Sequence, residues 1–210
     1  MRFLKDNKII VSGLLSVAVV ELVLFLHFDT VVVLWARDLH RIGGAHSILD
    51  VVNPLMNVVS NGVTLIIAAF LLYAIGRYKN PGLYPFGRSL LIGLLSAGIS
   101  VQILKHLIGR ARPRLTDNVI FIGPSLKSGY DSFPSGHSTL AFCLAYVASK
   151  YYPRYSAAFY LFAITVALYR IDCLAHFPSD VLAGAVVGVS VAKLTLSKTA
   201  GRTVSAEYPG

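Results

Sequence analysis

The chain has 210 residues, 55% of them hydrophobic and only 14% charged, with a mean hydropathy of +0.67. A soluble domain carries about 25% charged residues, so this composition excludes an ordinary soluble domain and points to a membrane protein. The formal charge of +9 would suit nucleic acid, but the 19 Lys and Arg lie between apolar runs. They do not form the clustered basic face that nucleic-acid binding needs, and no nucleic-acid partner is expected.

The expected fold is all-α, an integral-membrane bundle of six transmembrane helices in a single domain over residues 1–200. Residues 1–8 are short and basic. The apolar run at 9–27 is longer than the core of a signal peptide and is expected to stay as the first span. Glu21 inside it is expected to pack against a polar partner. Residues 29–54 mix Trp35, Arg37, Asp38, His40 and Arg41 with apolar residues, the pattern of an interfacial helix. His40 and His46 are expected at a surface or interface.

A second span is expected at 56–76, ending in the Gly- and Pro-containing turn before Tyr84. A third runs over 86–108 and stops ahead of Pro113. A polar connection over 114–132 leads to three closely spaced spans at 137–152, 156–174 and 179–197. Gly184 and Gly188 in the last form a small-xxx-small pattern that lets helix backbones approach. Residues 201–210 are read as a C-terminal tail. Cys143 and Cys173 lie in or beside apolar runs without zinc-type spacing, and are expected as small packing residues.

Six spans put both termini on one side of the membrane. Eleven Lys and Arg fall on that side against eight on the other, three of which are assigned below to chemistry. The positive-inside rule then makes the terminal side cytoplasmic.

Three short clusters carry the chemistry. In the first, Lys105 and Arg112 are seven apart and are expected two turns apart on nearly one helix face. Charges at membrane depth cost roughly 2.5–3.5 kcal/mol each, so they either face an anion in a polar cavity or snorkel to the membrane edge. Arg110 and Arg114 are expected to contact lipid headgroups.

The second cluster, Pro134-Ser135-Gly136-His137, opens an apolar helix. Unpaired N–H groups and the positive dipole end make such a first turn an anion site. Gly136 allows close approach of a ligand to the backbone, and the Ser135 hydroxyl can cap the helix or donate. In the third cluster, Arg170 precedes His176 and Asp180. Those two are spaced one helical turn apart, so the carboxylate can fix the imidazole tautomer and leave the other ring nitrogen free to attack or to move a proton. Asp172 is expected in a packing or surface role.

Together, Lys105-x6-Arg112-Pro113, Pro134-Ser135-Gly136-His137 and Arg170-x5-His176-x3-Asp180 resemble the type 2 phosphatidic acid phosphatase superfamily over about residues 100–190. Tyr169 departs from that family's pattern, which has serine before the arginine. The resemblance implies His176 as the nucleophile of a phosphohistidine, Asp180 as its orienting group and His137 as the acid for the leaving oxygen. Lys105, Arg112, Ser135, Gly136 and Arg170 would hold the phosphoryl oxygens. It implies a lipid phosphatase with a lipid phosphate or diphosphate as substrate; the topology above puts the site on the outer side, and the short loops and lean chain suggest a bacterial inner membrane. The candidates are undecaprenyl diphosphate, phosphatidylglycerol phosphate, phosphatidic acid and the 1-phosphate of lipid A. A lipid phosphotransferase with the same intermediate is the alternative, and an anion or lipid transporter with a basic pocket is the reading of another class. No acidic cluster of Mg²⁺ or Zn²⁺ type accompanies the basic groups, so neither a metal nor another cofactor is expected. No obligate protein partner is expected.

Overall fold

The computed structural model describes residues 24–42, 55–116 and 118–204. Most of the first expected span, Glu21, His46 and the end of the tail lie outside the described residues. A π-helical turn at Leu24–Phe28 runs into α1, Asp29–Ile42. Then follow α2 (Gly62–Tyr78), α3 (Tyr84–Ile108), α4 (Gly136–Tyr151), α5 (Ser156–Asp172) and α6 (Pro178–Val204). Among the described residues no strand forms; one isolated bridge pairs Arg110 with Phe121.

Local chemistry sets most of the boundaries. The Asn61 side chain accepts from Val63 N and starts α2, two residues after a short helical piece at 55–59. Proline-headed 3-10 turns at Pro81–Leu83 and Pro153–Tyr155 reverse the chain into α3 and α5. Helix α6 runs on through Val204, beyond the expected end of its span.

The burial pattern is that of a membrane bundle. Interior positions go to small residues, such as Ala69, Ala97, Ala141, Ala145 and Ala163. Large apolar side chains face outward: Val63, Ile67 and Phe70 on α2, and Leu161, Ile164 and Leu168 on α5. In water an apolar stripe of this extent would drive association. In lipid it carries no such cost, and helices are held by close packing between small residues. Two helical stretches, Pro81–Ile108 and Pro178–Thr199, are long and apolar enough to cross a bilayer, and Gly62–Tyr78 is a shorter apolar helix.

Helix α4 is the centre, packed against α3, α5 and α6. Gly188 brings α6 onto it so closely that a Cβ there would lie 2.2 Å from Thr139 O. Cys143 is buried in this core beside Leu94 and Val147, with a free thiol. The outcome is that the first turns of α4 and α6 and the last turn of α3 end close together, which is where the three clusters lie.

Candidate active site

Helix α3 ends at Gly109, which adopts φ 61 and donates its N–H to Lys105 O. A Cβ at Gly109 would lie 1.9 Å from Gly123 O, so only glycine fits this left-handed turn. The chain then runs extended, with Ala111 N bonded to Ile120 O and Arg112 N to Gly129 O. Lys105 and Arg112 therefore do not share a helix face, as their spacing had implied. They converge because the left-handed turn folds the segment back over the end of α3.

What joins them is Asp131, which the sequence reading did not single out. Arg112 Nε donates to Asp131 Oδ1 at 2.9 Å and its Nη2 to Oδ2 at 2.6 Å. Lys105 Nζ donates to the Asp131 carbonyl oxygen, with the carboxylate 3.9 Å away. Burial alone would raise the Asp131 pKa, but the hydrogen bonds and charge of Arg112, helped by Lys105, hold it at about 2. An acid in the polar loop, three residues before Pro134, was the available signal.

Ser135 caps α4, its Oγ accepting from Ser138 N. The Ser135 hydroxyl is buried and occupied locally, since Ser138 Oγ also donates to it at 3.1 Å. Gly136 and His137 occupy the open first turn. The nearest atom to a Cβ placed on Gly136 would be Lys105 Cε at 3.6 Å, so this turn sits directly against the first cluster.

His176 lies in the loop before α6, with its backbone N–H donated to Arg170 O at 3.1 Å. Its Nδ1 is 3.6 Å from Asp180 Oδ2, an ion-pair distance slightly beyond a hydrogen bond. Nε2 is thus the edge turned to the cavity. Burial pushes the His176 pKa down to about 4, against the opposing pull of Asp180. Asp180 Oδ2 also accepts from Phe177 N at 2.8 Å, reaching back to cap its own helix, and from Ser132 Oγ at 2.5 Å.

Arg110 corrects the sequence reading. Instead of meeting headgroups it is fully buried. Its Nη1 donates to Asp180 Oδ1 at 2.5 Å and to Ser179 Oγ at 2.7 Å, and its Nη2 to Asp29 Oδ2 at 2.6 Å. The guanidinium lies 4.2 Å from the Phe177 ring centroid. A carboxylate on each side replaces the hydration that a headgroup position would have supplied. Arg114, by contrast, is exposed. His40 and Asp172 meet each other at 3.3 Å.

A cavity of about 620 Å³ is lined at its polar end by Lys105, Arg112, Asp131, Gly136, His137 and His176. Its walls continue along α2 and α3 over apolar residues such as Val63, Ile66, Leu95 and Ile99. Ser135 and Arg170 do not line it. Arg170 is buried just behind, its guanidinium 5.7 Å from the Tyr169 ring centroid, so an aromatic face stands where the resembling family has a hydroxyl.

Fold and site together define a helical membrane protein that gathers cations and imidazoles at one end of an apolar groove. The PAP2 superfamily model matches residues 86–203, and the chain belongs to that superfamily. It is 37% identical over 133 residues to the lipid A 1-phosphatase of Rhizobium johnstonii, a match covering 61% of this chain and 54% of that protein. The match thus spans about half the length of that relative. Among solved structures, Aquifex aeolicus LpxE aligns with a TM-score of 0.53 at 25% identity, covering 74% of this chain and 89% of that one. A PAP2-type phosphatidylglycerolphosphate phosphatase from Bacillus subtilis aligns with a TM-score of 0.62 at 22% identity, covering 88% and 94%. That second likeness shows the fold alone.

Proposed function

We propose that this protein is a lipid phosphatase that removes a phosphate from a membrane lipid, with the 1-phosphate of lipid A the first substrate to test. The observation that carries the reading is the two-part cavity: a cationic end holding both histidines, continuous with an apolar groove between α2 and α3. A phosphorylated headgroup fits the first part while an acyl chain follows the second. Similarity to a lipid A 1-phosphatase supports that choice among lipid phosphates.

In this mechanism Lys105 and Arg112 hold the phosphoryl oxygens, with Arg170 reinforcing the positive field from behind. The Gly136 amide adds a helix N-terminus. The neutral His176 Nε2 attacks phosphorus as the bond to the leaving oxygen breaks, and protonated His137 gives that oxygen its proton. Asp180, 3.6 Å from Nδ1, closes onto the Nδ1 proton as charge builds on the ring, which stabilises the cation formed on the phosphorylated ring. Water then attacks phosphorus while neutral His137 takes its proton, releasing phosphate and neutral His176. Phosphoryl transfer depends mainly on positioning and charge stabilisation, which these groups supply. The Ser135 side chain serves by capping α4.

The proposal includes six spans in a single domain over residues 1–200, cytoplasmic termini and a site opening on the opposite side of a bacterial inner membrane. Phosphate release from lipid A, phosphatidylglycerol phosphate, phosphatidic acid and undecaprenyl diphosphate, measured with the purified full chain in mixed micelles, tests it. Release from at least one lipid is expected, and its loss in a folded His176→Ala variant. No release from any of them, or full release by that variant, overturns the reading.

A further inference from the structure

We infer that Asp29, at the start of α1, is a positioning residue for the reaction: through Arg110 it sets the carboxylate of Asp180 behind His176. The inference rests on the reading of His176 as nucleophile. It begins from a buried charge cluster of which the mechanism above uses only Asp180. Asp29, Arg110 and Asp180 are all fully buried. Asp29 Oδ2 accepts from Arg110 Nη2 at 2.6 Å and from Ser179 Oγ at 2.5 Å, while its Oδ1 accepts from Ser179 N at 2.9 Å. Ser179 Oγ in turn accepts from Arg110 Nη1 at 2.7 Å. The same nitrogen holds Asp180 Oδ1 at 2.5 Å. Each carboxylate oxygen has a donor, Asp180 Oδ2 from Phe177 N and Ser132 Oγ, and Asp180 cannot rotate Oδ2 away from His176 without breaking these bonds and the contact to Arg110.

Charge gives the arrangement a purpose beyond packing. Two buried carboxylates against one guanidinium leave the cluster itself one charge negative, offset only in part by the Lys105 ammonium that interacts with Asp180, and such an excess is costly in a dry interior. A cation on the neighbouring ring would compensate it. His176 acquires such a cation when its Nε2 bonds to phosphorus. The cluster is therefore better satisfied after attack than before, the condition for an interaction that accelerates a step.

Position also matters. Asp29 follows a π-helical turn, a feature often found at functional sites. Helix α1 makes further polar contacts around the site, with Arg37 Nη2 donating to Pro113 O at 2.8 Å and His40 meeting Asp172 at 3.3 Å. A helix expected only to lie at the interface thus reaches the buried side of the His–Asp pair.

Asp29→Asn is the test, because it keeps the side-chain shape and leaves Arg110 and Asp180 as a balanced pair. Turnover on the lipid phosphate should fall about 10–100-fold, the cost typical of a group that orients a functional histidine from behind, with KM within about twofold. In an Asp180→Asn background the same substitution should cost less than about twofold, since its route of action is already gone. Histidine ring ¹⁵N spectra of the full chain should show a changed His176 Nδ1–H signal in Asp29→Asn. Turnover within about twofold of the parent, additive losses in the double variant, or an unmoved His176 signal would each overturn the inference. Should Asp29→Asn fail to fold, Ser179→Ala removes the hydroxyl shared by Asp29 and Arg110; it should slow turnover several-fold, and parental turnover would count against the inference. If the parent protein releases no phosphate from any lipid, the proposed function fails instead, and the ring spectra still decide the positioning role.

Discussion

Arg112 and Asp131 face each other through two parallel hydrogen bonds of 2.9 and 2.6 Å, so a carboxylate occupies the fork that a phosphoryl group needs. Lys105 reaches the same residue through its main-chain oxygen. A phosphate entering the cavity must displace or share this carboxylate. Asp131→Asn should therefore strengthen inhibition by inorganic phosphate about tenfold, the worth of roughly 1.4 kcal/mol for a partly buried ion pair removed from competition. An inhibition constant equal to the parent's would show that Asp131 does not compete for the site.

Removing a phosphate-holding cation should cost far more. Arg112→Ala is expected to lower turnover by roughly 10²–10³, equal to about 2.7–4 kcal/mol by analogy with oxyanion donors, with Arg112→Lys retaining part of the activity through its charge. Arg170→Ala should show a loss of the same order, transmitted from behind the cavity. Steady-state rates on folded variants decide this, and near-parental turnover removes the residue from the proposed machinery.

The pH dependence follows from burial of His176. Its pKa, lowered to about 4, keeps the ring neutral and nucleophilic down to acidic pH. The rate constant kcat/KM should hold on its acid side until the pH approaches 4, then fall about tenfold per unit. Stability has the same sense. A folded-state pKa below the unfolded value means that the unfolded chain binds the proton first, so stability declines as the pH falls from about 6.5 toward 4. An acid limb near 6.5 in the free enzyme would contradict this assignment.

Packing of α6 on α4 predicts a contrast between two glycines. Gly188→Ala sets a Cβ against Thr139 O and should lower stability by about 1–3 kcal/mol. At Gly98, where an added Cβ meets nothing within 4 Å, the same change should leave Tm at or above the parent value. Thermal melts in detergent compare the two directly; equal Tm values would show that the helices can separate without loss.

Because cations and a helix N-terminus hold the phosphoryl charge in the proposed mechanism, activity should survive EDTA. Loss on chelation, restored by Mg²⁺, would replace that mechanism.

Local pattern made the three clusters and the helical frame legible before any tertiary information. Apolar runs separated by Gly and Pro turns mark the helices, and the chemistry of a Pro-Ser-Gly-His turn is complete within one helical turn. Partnerships across the fold were not legible. Arg110 and Arg112 are two residues apart and chemically identical, yet one is buried between Asp29 and Asp180 while the other faces the cavity. The left-handed turn at Gly109 and the packing of α1 and α6 decide which is which. Asp29 and Asp131 each stand alone in sequence, and their roles depend on guanidinium groups 81 and 19 residues away. A residue's type and spacing determine the interactions it is able to make. Which of them form is decided when buried charges must find partners that only the assembled helices bring within reach.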